Sequence, residues 1–310
     1  MQKSAIPTFL QNGPNAKDLA YFISLQEERP TNAPDHSAAM WNRRAEFWKK
    51  ERENHRKGDE RVTSAVTYLS NRGLLQPTFN IIDIGCGPGR FVAAFAKQVH
   101  HVVGLDISEK MIAHGREHIQ EKGLHNAILR TADFQTFDVK KEGYEQAFDV
   151  VFSSMTPAIH GMNGLMKCIA MSRGWCCHIT HLSGRNFLRE QIMKEVFGRA
   201  VSPSWTGRWF YSLFNVLFLM GYAPETTYET RHQERQISPD EEYVDFMMEH
   251  MLPAQEQTRS NAKLIERWLK EHVNEEGMIR EVTDASYGRV LWDVRQKVER
   301  PDYRSMGQGV

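Results

Sequence analysis

Residues 81–91 read Ile-Ile-Asp-Ile-Gly-Cys-Gly-Pro-Gly-Arg-Phe, and no other stretch of the chain restricts its fold as strongly. Ile81, Ile82 and Ile84 form a short β-branched apolar run, the pattern of a buried parallel strand. Gly85, Gly87 and Gly89 end it at alternate positions. Residues 91–96 then start helical periodicity. Strand, tight turn and helix in that order make a cradle. Glycines permit positive φ and let a ligand approach with no Cβ in the way. The helix N-terminus adds free N–H groups and a partial positive charge.

The spacing is informative. A dinucleotide fingerprint is G-x-G-x-x-G. Here it is G-x-G-x-G, and Arg90 stands where the third fingerprint glycine would sit. That opposes a nicotinamide dehydrogenase. A second apolar run, residues 102–105, ends in Asp106, 17 residues past Gly89, where an acid can take two ribose hydroxyls. Asp83 lies inside the first apolar run, a costly place for an acid without a partner.

Four segments carry a resemblance. Asp83 to Gly89 resembles the first motif of class I S-adenosylmethionine-dependent methyltransferases. Leu105-Asp106-Ile107-Ser108, followed by Met111 and Ile112, resembles the second. Thr131-Ala132-Asp133-Phe134 resembles the third, and residues 148–153 resemble the fourth strand. The likeness covers about residues 75–182, with the motifs in family order. It implies an α/β, Rossmann-like fold. The expected sheet is seven-stranded and mostly parallel, with helices on both faces, N-terminal helices and a helical insertion between strands 5 and 6. The implied cofactor is S-adenosyl-L-methionine. The resemblance assigns its ammonium to Asp83, its backbone to Gly85, Gly87 and Gly89, and its ribose to Asp106. Ile107, Asp133 and Phe134 then surround adenine, and Cys86, Met111 and Ser153 complete the set. Cys86 reads as a small residue in the turn, since methyl transfer needs no enzyme thiolate.

Bulk properties narrow the rest. Lys plus Arg equals Asp plus Glu at 39 each, which gives no global attraction to nucleic acid or acidic lipid. Four cysteines in 310 residues do not make a disulfide framework. Adjacent Cys176 and Cys177 in an apolar run fit reduced thiols and a cytoplasmic protein. The longest apolar block, residues 209–220, falls short of the roughly 20 residues of a membrane span. No secretory leader is read at the start. Nucleic acid and membrane are therefore not expected partners, and the oligomeric state is left open.

Along the chain, residues 1–36 read as an irregular arm. Residues 37–182 read as N-terminal helices and the cofactor core, 183–223 as a helical lid over the acceptor, and 224–310 as the end of the sheet with further helices. Strands are expected near 80–84, 101–105, 127–130, 148–153 and 174–181. Helices are expected near 61–71, 90–98, 109–122 and 162–171. Residues 278–282 and 287–294 read as two more strands. Trp41, Ala45 and Trp48 share one face of a leading helix.

The segment after the fourth strand sets acceptor type in this family. Enzymes that methylate base or glutamine amines often carry Asn/Asp-Pro-Pro-Tyr there. Residues 153–160 instead read Ser-Ser-Met-Thr-Pro-Ala-Ile-His. A small-molecule acceptor is the expectation, with an RNA- or protein-directed methyltransferase and a non-catalytic cofactor-binding regulator as alternatives. His160 is the candidate general base, because imidazole titrates near pH ~6.5. Trp41, Met155, His181, Trp205 and Trp209 are the candidate acceptor-pocket residues. No metal is expected: His178 and His181, at i and i+3 on a strand, point to opposite faces.

Overall fold

The structure is a computed structural model that describes residues 13–27, 37–45, 59–201 and 204–305, without the side chains of 204 and 205. Phe47, Trp48 and the charges at residues 49–52 therefore lie outside the described residues, as does the Trp205 side chain.

Seven strands form the main sheet: β1 (Asn80–Ile84), β2 (His101–Asp106), β3 (Ala127–Thr131), β4 (Phe148–Ser154), β5 (Ser172–Asn186), β7 (Glu225–Ile237) and β8 (Ile279–Asp293). Their order is β3-β2-β1-β4-β5-β8-β7, and the short β6 (Ser204–Trp205) pairs with β5. The β1–β2, β2–β3, β1–β4 and β4–β5 pairs are parallel. This is the expected Rossmann-like α/β architecture. The chain runs outward from β1 through β2 to β3, then returns to place β4 on the other side of β1. Ligands of such sheets bind at the strand C-termini beside that switch.

Two compact units are present. The first lies within residues 1–180, 209–227 and 289–310. It contains α1 (Ala16–Glu27), α2 (Glu60–Ser70), α3 (Arg90–Phe95), α4 (Glu109–Glu121), α5 (Gly161–Met171) and α7 (Arg208–Leu219, from Trp209 onward). Its core is the β-branched strand interior that the sequence announced: Ile81, Ile82, Ile84, Val102 and Val150 are all fully buried. Phe95 of α3 packs edge-on against Phe152 of β4, with ring centroids 5.0 Å apart. Side-chain caps fix the helix starts. Asp59 accepts from the Arg61 and Val62 amides at α2, and Ser108 accepts from Met111 at α4.

The second unit comprises residues 181–208 and 228–288. There α6 (Phe187–Phe197), α8 (Glu241–Met251) and α9 (Arg259–Glu271) bury Leu188, Ile192, Met247, Ile265 and Leu269 together with Ile279 of β8. One acid sits in this interior. Glu281 accepts from Asn186 Nδ2 at 2.7 Å and from the Tyr243 hydroxyl at 3.0 Å, as a buried carboxylate must.

Three element boundaries differ from the sequence reading. Helix α3 stops at Phe95 rather than 98. Strand β5 runs to Asn186, past the predicted end at 181. The two C-terminal segments are one strand, β8, because residues 283–286 carry no glycine or proline to turn the chain.

Candidate functional site

The glycine turn follows β1 directly. The Gly85 and Cys86 amides both donate to the Leu105 carbonyl, at 2.7 and 3.0 Å, so the turn is tied to the end of β2. Gly85 has φ +72° and Gly87 φ +53°, a region L side chains rarely occupy. At Gly85 the second constraint is contact: a Cβ would lie 2.1 Å from Thr156 Oγ1. At Gly87 a Cβ would meet nothing within 4 Å. The first glycine is thus needed for packing and the second only for backbone shape.

A cavity of about 500 Å³ opens over these strand tips. Its wall takes Gly85, Cys86 and Gly87 from the turn, Asp106, Ile107 and Met111 from the β2 tip and α4, and Asp133 and Phe134 from after β3. Trp41 and Met155, two of the candidate acceptor residues, also line it. So the structure brings together, from four strand ends, most of the residues singled out in the sequence.

Asp106 is the polar centre of this wall. Its Oδ2 accepts from the Gly87 amide and its Oδ1 from the Ser108 amide, each at 2.8 Å. Burial pushes its carboxyl up, and these amides pull it back down only in part. Each oxygen keeps a further acceptor position beyond its amide. Asp133 is exposed, and its Oδ1 accepts from the Gln135 amide at 2.9 Å. Phe134 beside it is buried.

Asp83 and Ser153 stand behind the wall rather than on it. Asp83 is 1% exposed, and its Oδ2 has no hydrogen-bond partner. Burial, with the negative charge of Asp106 second, holds its carboxyl well above the ordinary range. A buried acid in that condition keeps its proton unless a cation is brought beside it. Ser153 turns away from the cavity and its Oγ pairs with His178 Nδ1 at 2.8 Å, while the next residue, Ser154, lines the wall. Gly89 opens α3 as its N-cap, with φ +73°.

The candidate base His160 and the acceptor candidate Trp209 are not on this cavity's wall. His160 occupies the N-cap position of α5 and stacks on Trp209, with ring centroids 5.0 Å apart. His178 meets the same indole edge-on at 4.4 Å. Trp209 is buried between the two imidazoles. Burial drives His178 well below its ordinary value, helped by the neighbouring His160, and leaves Nε2 without a partner. His181 belongs to the second unit, where its Nδ1 shares a 2.7 Å hydrogen bond with Thr206 Oγ1. Among the described residues no three His, Cys, Asp or Glu side chains converge as a metal site would require.

Several wall residues were not found from sequence. Arg61, Gln135, Ser154 and Thr156 line the cavity. Lys167 supports it from α5, where its Nζ donates to the Phe134 and Gln135 carbonyls at 2.8 and 2.7 Å and pins the loop after β3. The available signal was a lone charged residue in an otherwise uncharged helix. All four cysteines are buried. Cys86 is held protonated by burial and by Asp106 and Asp83, and burial pushes Cys168 and Cys177 up to about 12.

Comparison with known proteins agrees with this geometry. Residues 75–181 match the family model of a methyltransferase domain. Over 108 residues the chain is 28% identical to the 23S rRNA (uracil(1939)-C(5))-methyltransferase of Photobacterium angustum, covering 35% of this chain and 46% of that protein. It is 32% identical over 74 residues to the enzyme of the same name from Xanthomonas campestris, covering 24% and 17%. The matched segment thus spans less than half the length of these curated relatives. Among solved structures, the YcgJ protein of Bacillus subtilis aligns with a TM-score of 0.45 at 14% identity, covering 74% of this chain and 98% of that one. A SAM-dependent methyltransferase of Aquifex aeolicus aligns at 0.42 and 10%, covering 74% and 89%. Residues 75–181 are a methyltransferase domain. No helix among the described residues is long and apolar enough to cross a membrane.

Proposed function

We propose that this protein transfers a methyl group from S-adenosylmethionine to a small-molecule acceptor. The observation that carries the donor assignment is the convergence of a glycine turn, Asp106 and the Asp133-Phe134 pair on one cavity at the β1/β4 switch. The residues fit the group. Asp106 has acceptor positions for two ribose hydroxyls, and Asp133 accepts from the adenine amine. Ile107, Met111 and Phe134 cover the ring, and the Cβ-free turn admits the amino-acid portion. Asp83, buried with an orphaned oxygen, needs the cation that an ammonium would supply, directly or through water.

When bound, the cofactor supplies an electrophilic methyl on a sulfonium, and the protein's part is orientation and exclusion of water. Gly85 to Gly89 fix the donor, and Met155 with residues 156–158 continue the wall beside the turn. An acceptor with a free lone pair needs no base.

Three features support a small acceptor. The chain carries no net charge, the wall after β4 is mostly apolar, and a cavity near 500 Å³ is of small-ligand size. The rRNA enzymes named above favour a second reading, methylation of RNA. Carbon 5 of uracil is a poor nucleophile and would need a thiolate to add to the ring first. Cys168, Cys176 and Cys177 are buried off the cavity wall, and burial with Asp106 and Asp83 keeps the wall thiol of Cys86 protonated, which argues against that chemistry. Incubation with methyl-labelled S-adenosylmethionine decides the matter. Label in a metabolite fraction is expected, and label confined to RNA would replace this reading with the second.

A further inference from the structure

The second unit carries two stripes of opposite charge. On α8, Glu241, Asp245 and Glu249 follow one another four residues apart, and all three are exposed. On α9, Arg259, Lys263 and Arg267 repeat that spacing and that exposure. Each stripe lies on the helix face opposite the one that enters the core: Tyr243, Val244 and Met247 on α8, and Ile265, Trp268 and Leu269 on α9. The two helices pack on each other around that shared core, and residues 252–258 alone separate them in sequence. The stripes are therefore neighbours.

Neither stripe helps the helix that bears it. Like charges four residues apart on a helix repel. Helix α8 contains no lysine or arginine to offset its acids. Glu249 stands in the last turn of α8, where the helix dipole favours a cation. Arg259 stands in the first turn of α9, which holds no acid and where the dipole favours an anion. The ion pair along α9, Lys270 Nζ to Glu266 Oε1 at 2.6 Å, uses none of the three stripe cations.

Each stripe is instead the complement of the other, three carboxylates against three cations at one spacing. A two-fold axis sets a surface patch of one copy on the same patch of another. An acidic stripe beside a basic one then meets a basic stripe beside an acidic one. We propose that α8 and α9 form a self-complementary surface on which a second copy of this chain docks, the α8 stripe of each copy lying on the α9 stripe of the other. A surface of one sign would call for a partner of the other sign; this one holds both signs in equal number, so the chain is its own complement. Leu264, next to Lys263 and 39% exposed, adds apolar area to the contact. Exposed ion pairs are weak one by one, so the association rests on their sum and yields to salt.

Analytical ultracentrifugation of the whole chain tests this. Dimer is expected in about 0.01 M salt and monomer in about 1 M salt, where charges are screened within a few ångströms. Reversing the basic stripe, by Arg259→Glu, Lys263→Glu and Arg267→Glu together, should weaken self-association roughly tenfold or more. Reversing the acidic stripe, by Glu241→Lys, Asp245→Lys and Glu249→Lys together, should do the same. The two variants mixed in equal amounts should then form a heterodimer, because every stripe again faces its opposite, and that recovery certifies both folds. If either triple variant fails to fold, the single substitutions Lys263→Glu and Asp245→Lys carry the same comparison. Wild-type chain that stays monomeric in low salt, reversed variants that still self-associate, or a mixture that does not associate overturns the proposal.

Discussion

Thr156 lies against the α-carbon of Gly85 so closely that a Cβ there would be 2.1 Å from its hydroxyl oxygen. The loop after β4 and the turn after β1 are therefore seated on each other, not merely adjacent. Gly85→Ala must displace Thr156 and also hold alanine in the left-handed region. The second cost is roughly 1–2 kcal/mol, and overpacking adds about 1–3 kcal/mol. Gly87→Ala faces open space and should cost only the backbone part. Denaturant unfolding of the two variants should separate them by that difference, and equal destabilisation would refute the contact.

Asp106 is bonded through both oxygens to the turn and to α4, and it faces the cavity. Asp106→Ala should weaken S-adenosylmethionine binding by roughly 1–3 kcal/mol. Unchanged affinity in calorimetry would reject the ribose assignment.

Asp83 penalises the unliganded fold. Its folded carboxyl binds a proton more tightly than the unfolded value of 3.8 allows. The penalty is absent below that value and complete once the pH passes the raised folded value. Asp83→Asn should therefore raise the melting temperature at neutral pH without ligand, yet reduce the stabilisation that S-adenosylmethionine gives. A variant less stable than wild type at pH ~7 would contradict this account of the orphaned oxygen.

His178 acts in the opposite sense. Its folded value lies well below the ordinary 6.5. As the pH falls through about 6.5 the unfolded chain takes up a proton that the folded chain refuses. Stability is then lost by up to about 1.4 kcal/mol per pH unit until the folded value is reached. His178→Gln should flatten the unfolding profile between pH ~7.5 and ~5. Identical acid slopes for variant and wild type would show that His178 stays accessible to protons.

The donor side of the cavity was legible because its requirements are local. A β-branched run, three glycines at alternate positions and an acid at each of two later strand ends are properties of short segments. Strand tips then had to meet once the strands were parallel. Parity at a strand end was harder. Ser153 is the candidate the sequence offers, and a one-residue shift moves a side chain to the opposite face. The register with His178 turns Ser153 away and brings Ser154 to the wall. The acceptor side was legible only in outline, since His160 and Trp209 pack on each other through an aromatic contact that no spacing encodes.

The chain by itself fixed the strand–turn–helix unit, the chemistry of its acids and the class of fold, because backbone conformation and burial preference act over a few neighbouring residues. Only the tertiary structure set Asp59 between Arg61 and Arg90, Lys167 under the loop after β3 and Thr156 against Gly85. Apart from the neighbours Asp59 and Arg61, those pairings join residues 31 to 71 apart, and a side chain's direction there is decided by the packing of elements distant in the chain.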